Sequence, residues 1–210
     1  MLTFPQHQFL ATDLSCIRGD RALFADLTLA LRAGDVLQVR GANGSGKSTL
    51  MRILSGLLQP DSGNILFDNM AITNADSLFS HQLHYLGHLP GVKLDLTPWE
   101  NLLIAAALAN GAHETAINEA LDAVQLFGFE HEPARNLSAG QKRRIALARL
   151  LVSPLPIWFL DEPFTALDTA GCRLVERLIV EQAARGGMVI FASHTEVQLS
   201  CALRSVELLT

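Results

Sequence analysis

The run Gly41-Ala42-Asn43-Gly44-Ser45-Gly46-Lys47-Ser48-Thr49 has the residue types and spacing to hold a phosphate chain. It fits the pattern G-x-x-x-x-G-K-[ST], in which backbone N–H groups curl inward around an anion. Glycine reaches the required dihedrals at little cost, and the helix that follows adds unpaired N–H donors and a partial positive charge. Lys47 is expected to reach the β- and γ-phosphates, and the Ser48 hydroxyl to sit on Mg²⁺. The pattern carries this meaning only between a strand and a helix. Asp35-Val36-Leu37-Gln38-Val39-Arg40 reads as a buried strand, and Leu50-Met51-Arg52-Ile53-Leu54 as the first turns of a helix. The chain is therefore expected to bind a nucleoside triphosphate.

Two further runs could act on that ligand. Pro156-Ile157-Trp158-Phe159-Leu160-Asp161-Glu162 is an apolar strand ending in two carboxylates, which a doubly buried strand delivers to the C-terminal edge of its sheet. Asp161 there would hold Mg²⁺ through water, and Glu162 would accept the proton of an attacking water. In Leu137-Ser138-Ala139-Gly140-Gln141-Lys142-Arg143-Arg144-Ile145, Ser138 can cap a helix while Gln141 reaches back, an S-x-x-Q capping box. Gly140 leaves bare backbone at that helix entrance. This is a second anion-binding helix N-terminus. One nucleotide needs only one such cradle per chain, whereas a dimer with shared nucleotides needs both.

The positioning elements can be read in outline. Residues 10–17 and 27–31 show strand-like patterns, Arg32-Ala33-Gly34-Asp35 signals a turn, and Asn64-Ile65-Leu66-Phe67 is another short strand. From Pro98 the character becomes helical: a helix capped by Thr97, an amphipathic one over 117–127, and a third from Ser138 to Leu151. Strand 157–160, a helix over 171–184 and the strand Met188-Val189-Ile190-Phe191-Ala192 follow. Strands thus alternate with helices at both ends, around an inserted helical block. At 210 residues and 22.8 kDa this is one globular domain, burying roughly 70% of its extended surface. A net charge of −5 gives no support to a nucleic-acid partner. The low charged fraction, 18%, and mean hydropathy of +0.25 fit either a generous core or a large contact surface. No stretch reaches the ~18 apolar residues of a membrane helix; the longest candidates are 102–109 and 150–160. The N-terminus lacks a basic start and a signal-like apolar core. Cys16, Cys172 and Cys201, distant and odd in number, suggest neither a disulfide framework nor a C-x-x-C site, and the expected location is the cytosol or the cytosolic side of a larger assembly.

With these runs in hand, the chain resembles the ABC-transporter ATPase family, whose signature L-S-G-G-Q it matches except at Ala139, and the resemblance covers essentially its whole length. It implies an α/β fold: a P-loop NTPase with a RecA-like core, an N-terminal antiparallel β part and an inserted helical subdomain. The core would take 1–88 and 155–210, and the helical subdomain about 89–154. It also implies that two copies close head to tail, each ATP lying between one phosphate loop and the partner's signature. Ser138 and Gly140, with Gln141 beside them, would then meet the γ-phosphate of the other copy's ATP. Thr165-Ala166-Leu167-Asp168 looks like the family's dimer loop, with Asp168 crossing the interface, and His194 matches the switch histidine that helps orient water. The implied catalytic set is Lys47, Glu162 and His194, and the implied Mg²⁺ set Ser48 and Asp161. The nucleotide itself would meet Gly41, Asn43, Gly44, Ser45, Gly46, Lys47, Ser48 and Thr49.

Two departures stand out. The family's glutamine at the join to the helical subdomain falls on His88, in Tyr85-Leu86-Gly87-His88. A histidine can hydrogen-bond a water but is a poor ligand for Mg²⁺, a hard cation. The aromatic residue that stacks on adenine falls at Arg18 or its neighbours, where a guanidinium plane can stack instead. Leu86-Gly87-His88-Leu89-Pro90-Gly91-Val92-Lys93, followed by Leu96-Thr97-Pro98-Trp99-Glu100-Asn101-Leu102, is similar to the haem-exporter ATPases of cytochrome c maturation. That resemblance implies a membrane permease bound at the cytoplasmic face of the bacterial inner membrane, with ATP hydrolysis driving release of a haem-loaded chaperone. The alternatives are an exporter of another substrate, or a soluble ABC ATPase acting on ribosomes or DNA. The latter usually carries two ATPase domains, a coiled-coil insertion or a basic surface. A P-loop kinase or GTPase lacks the 137–141 signature, and no N-K-x-D guanine motif is present. His81 and His84 are expected on a solvated helix face rather than in a metal or haem site with His88, and Lys142-Arg143-Arg144 on another solvated face.

Overall fold

A computed structural model describes residues 3–108, 114–194 and 197–208. It divides into two compact units: Met1–Tyr85 with Leu155–Pro163 and Leu178–Thr210, and Leu86–Pro154 with Phe164–Arg177. The second unit thus includes a stretch, Phe164–Arg177, that sequence reading left with the core.

The first unit holds two sheets. Strands β1 (Gln8–Arg18), β2 (Arg21–Arg32), β4 (Ser62–Phe67) and β5 (Met70–Ala71) form an antiparallel sheet in the order β2-β1-β4-β5. Strands β3 (Val36–Arg40), β6 (Leu83–Leu86), β7 (Ile157–Asp161), β8 (Met188–Ala192) and β9 (Leu203–Glu207) form the second, in the order β6-β7-β8-β3-β9. Every residue of β7 and β8 is buried, which explains the unbroken apolar runs over 157–160 and 188–192; parallel strands covered on both faces have no solvent side to keep polar. The strand β3 pairs in parallel with β8 and β9, and β7 with β8. Their C-terminal ends therefore share one edge. The phenyl rings of Phe9, Phe79 and Phe159 tie the antiparallel sheet to this one, at 5.7 Å for Phe9–Phe79 and 6.4 Å for Phe79–Phe159. Such pairs add about 0.5–1.5 kcal/mol each beyond the area they bury.

Sequence reading missed β5, β6 and β9. The strand β9 exposes or half-exposes all its residues at a sheet edge, and β6 carries His84 and Tyr85, so neither presents an apolar run.

The second unit is helical. Helix α2 (Pro98–Leu108) opens with a reciprocal box: the Glu100 N–H donates to Thr97 Oγ1 at 3.1 Å, and the Thr97 N–H to Glu100 Oε2 at 2.8 Å. Those bonds hold the Glu100 carboxyl below its ordinary value. Ala109, the last residue of the 102–109 apolar run, lies outside the described residues. Helices α3 (Glu114–Ala123) and α4 (Ala139–Val152) pack with α2 and with each other, and Leu102, Ala106, Ile117, Leu121, Ile145 and Leu147 of the three are buried. The helix expected over 117–127 stops at Ala123. Gln125 takes φ +61°, and the N–H groups of Gln125 and Leu126 turn back to the carbonyls of Asp122 and Leu121. Phe127, counted on the apolar face, is 79% exposed. Helix α5 (Thr169–Ala184) runs through the division between units. Among the described residues, no helix is long and apolar enough to cross a membrane.

Gly63 sits at φ +94° in β4, where a Cβ would approach the Thr12 and Asp13 carbonyl oxygens at 2.5 and 2.6 Å. Gly63→Ala should therefore cost about 2 kcal/mol or more of stability, combining left-handed strain with a backbone collision. Urea unfolding of the purified chain measures it; an unchanged midpoint would contradict this packing.

Candidate nucleotide site

The chain leaves β3 at Arg40 and enters helix α1 (Lys47–Leu54) at Lys47. Gly41, Gly44 and Gly46 turn it with φ of 146°, 82° and 98°. Gly46 is the N-cap of α1. Neither Gly41 nor Gly46 has room for a side chain: a Cβ would come 2.5 Å from Ser45 Oγ at the first and 3.1 Å from the Leu23 side chain at the second. Lys47, only 7% exposed, folds its Nζ back onto the carbonyls of Gly41 and Ala42 at 2.9 and 3.1 Å. Ser45 Oγ is buried with no hydrogen-bond partner. A buried hydroxyl, a cation and bare backbone N–H groups around a helix entrance fit a polyphosphate. Asn43 and Gly44 are exposed on the loop, Ser48 is exposed in the first turn of α1, and Thr49 is half-buried.

The carboxylates stand on the same sheet edge. Asp161, 2% exposed, ends β7 opposite Ala192 of β8. The Glu162 N–H donates to the Ala192 carbonyl at 3.0 Å, and its φ of +49° turns the chain sharply out of the strand. His194 Nδ1 lies 3.1 Å from Glu162 Oε2. A carboxylate only accepts, so this bond needs the proton on Nδ1 and leaves Nε2 as acceptor in neutral imidazole. Ser48 and Asp161 offer a hydroxyl and a carboxylate, oxygen donors suited to Mg²⁺, which keeps waters and substrate phosphates for its remaining positions. No cluster of three or more His, Cys, Asp or Glu suited to a metal occurs among the described residues. Tyr85, which sequence reading passed over, is a neighbour of this edge: burial first, then the Asp161 carboxylate, raise its phenol above the ordinary value. Arg18 ends β1 exposed, its Nη1 donating to the Ile17 carbonyl and lying 3.9 Å from Asp61 Oδ2.

The helical unit carries the other expected residues. The Ser138 Oγ accepts from the Gln141 N–H at 3.1 Å, and Gln141 Oε1 accepts from the Ser138 N–H at 2.9 Å, forming the expected box. Ala139 is exposed, so its methyl group meets no crowding from the protein. Gly140 is different: a Cβ there would come 3.0 Å from the Ala166 carbonyl oxygen. Asp168 Oδ1 accepts from the Gly171 N–H at 2.7 Å, at the start of α5, and from Arg144 Nη2 at 3.5 Å. Arg144 also donates to the Val124 carbonyl and to Gln125 Oε1.

Two expectations need correction. Arg143 is 3% exposed, and the Arg144 side chain 11%, so these two do not form a solvated face. His84 lies half-buried in strand β6 rather than on a helix, while His81 is exposed at the end of a short 3₁₀ helix over Phe79–His81. His88 is exposed in the loop after β6. Each unit thus gathers one group: residues 41–49, Asp161, Glu162 and His194 in the first, and His88, Ser138, Gly140, Gln141 and Asp168 in the second.

Residues 24–165 match the model of a protein family described as ABC transporter. The chain belongs to that family. As a family member it is the ATP-hydrolysing component of a transporter. A relative from Methylococcus capsulatus is 47% identical over 94% of this chain and 96% of its own length. One from Haemophilus influenzae is 46% identical over 94% and 93%. Both are named cytochrome c biogenesis ATP-binding export protein CcmA. Among solved structures, an ABC-transporter ATP-binding protein from Pyrococcus furiosus superposes with a TM-score of 0.84, at 27% identity over 96% of this chain and 97% of that one. A dimeric ATP-binding cassette holding ADP and Pi after hydrolysis gives 0.76 at 24% identity, over 89% and 88%, and shares the fold.

Ser138→Ala removes the accepting half of the box at the α4 entrance and should cost about 1 kcal/mol of stability. Chemical denaturation of the isolated chain reads the change, and a variant as stable as the parent would deny the cap any contribution.

Proposed function

We propose that this chain is the ATPase of a transporter serving cytochrome c maturation, hydrolysing Mg²⁺-ATP to drive release of a haem-loaded chaperone. The observation that carries the hydrolytic part is the 3.1 Å contact of Glu162 with His194, on the sheet edge where the phosphate loop leaves β3. In this reading the backbone of residues 41–49 and Lys47 bind the β- and γ-phosphates, while Ser48 and Asp161 hold Mg²⁺. Mg²⁺ held by these two residues would supply charge neutralisation at the phosphate oxygens. Glu162 takes the proton of the attacking water, and His194, bonded to it through Nδ1, fixes the carboxylate's orientation and presents Nε2 to the γ-phosphate region. Arg18 stacks on the base, and His88 contacts a water in place of the family's glutamine.

Ser138, Gly140, Gln141 and Asp168 act on the nucleotide of a second copy, closed head to tail. The two compact units correspond to the RecA-like core and the helical signature part. The haem assignment rests on the relatives, which are 44–49% identical and named for cytochrome c biogenesis and export, and on the 86–102 sequence. In the same reading the chain works at the cytoplasmic face of the bacterial inner membrane, bound to integral permease subunits and with no nucleic-acid partner.

Glu162→Gln should lower ATP turnover by about 10²–10⁴-fold while stabilising an ATP-bound dimer. Full turnover would remove Glu162 from its role. Affinity purification of the chain from native membranes, with the integral subunits identified by mass spectrometry, tests the transport assignment. Subunits of the cytochrome c maturation machinery are expected; an unrelated permease would overturn the haem reading and leave the ATPase intact.

A further inference from the structure

The exposed His88 lies in a segment outside any helix or strand, and the backbone of that segment is gripped by two arginines of one helix. Arg143 Nη1 donates to the carbonyls of Gly87, at 2.9 Å, and His88, at 3.4 Å. Six residues further along α4, Arg149 Nη1 donates to the Gly91 carbonyl at 3.1 Å, and its Nη2 to the Pro90 carbonyl. The Arg149 guanidinium lies against Gly91, within 3.6 Å of where a Cβ would stand. Asn101 of α2 takes over where the arginines stop: its Oδ1 accepts from the Lys93 N–H at 2.8 Å, and its Nδ2 donates to the Lys93 carbonyl at 3.0 Å.

A buried guanidinium is costly unless its donors are used. Burial draws Arg149 below its ordinary pKa, and Arg143 is 3% exposed. Both spend donors on neutral carbonyls of one loop. A surface ion pair would be cheaper to keep in water, so the arrangement is costly as mere solubility and productive as an anchor. It binds main chain, so it fixes the backbone whatever the side chains are. It also leaves the imidazole of His88 in solvent.

We propose that Arg143 and Arg149 are positioning residues that fasten the 87–91 loop to the signature helix, so that His88 is held in register with Ser138 and Gly140 of its own chain. This rests on the reading of His88 as a water contact in hydrolysis. Arginine is suited to the task because its planar fork spans two carbonyls, whereas an ammonium reaches them as a single point. The side chain of His88 stays free to turn while its Cα does not.

The test combines a local readout with kinetics on the assembled complex. In Arg143→Gln, and separately Arg149→Gln, backbone ¹⁵N order parameters at Gly87, His88 and Gly91 should fall from about 0.85 toward 0.6 or less, with the α4 amides unchanged. Arg143→Lys, which keeps the charge and one bond, should lie between and guards against loss of folding. For ATP hydrolysis, Arg143→Gln should lower kcat by about 10-fold or more with little change in KM, as misplacement of a positioned group does. In a His88→Ala background the same substitution should add almost nothing, because both act at one point. Unchanged order parameters would overturn the anchor itself. Losses that multiply independently in the double variant would overturn its action through His88. A His88→Ala enzyme with full kcat would sink the water-contact reading and the positioning role with it, while the order parameters still report whether the loop is fastened.

Discussion

The first unit depends on a single reversal of the chain, the passage from β3 into α1 through Gly46 at φ +98°. A residue with a Cβ would meet Leu23 there and pay for the left-handed dihedral as well. Lys47, the first residue of α1, is buried directly after this turn. Its ammonium then finds only the carbonyls of Gly41 and Ala42. The lysine is thus held by the same loop it serves, and a polyphosphate would exchange those neutral partners for charged ones. Strands β3, β7 and β8, buried except at the half-buried Arg40, bring Asp161 and Glu162 to the sheet edge at which the loop leaves β3.

What the sequence made legible was chemistry contained in one short run. The phosphate loop, the Ser138–Gln141 box and the apolar strand ahead of Asp161 each need only neighbours within a few residues, and each formed where it was expected. The contacts that link distant runs were harder. Glu162 and His194 are 32 positions apart, and nothing local says which nitrogen faces the carboxylate. Arg143 was misread for a physical reason: a run of three basic residues looks solvated until a loop 56 positions earlier supplies the carbonyls that make burial tolerable. The end of α3 was misread because Gln125 has the left-handed conformation usually signalled by glycine or asparagine. Edge strands such as β9, with no apolar face, gave no periodic signal at all.

The run Thr165-Ala166-Leu167-Asp168 shows how one carboxylate is occupied within its own chain. Asp168 caps α5 through the Gly171 N–H and meets Arg144, which also holds the end of α3. Its side chain is nevertheless 74% exposed. Capping fixes where the carboxylate is, and exposure leaves part of its oxygen surface available for a further donor. Local order and intermolecular recognition are therefore compatible at this position, since the cap uses a backbone donor and the approach from outside is open.

The two small residues of the signature are not equivalent. The methyl group of Ala139 faces solvent, whereas any carbon added at Gly140 presses on the Ala166 carbonyl. The fold thus sets different tolerances along one short run: position 139 has open space around its side chain, while at Gly140 the backbone at Ala166 must give way to any added carbon.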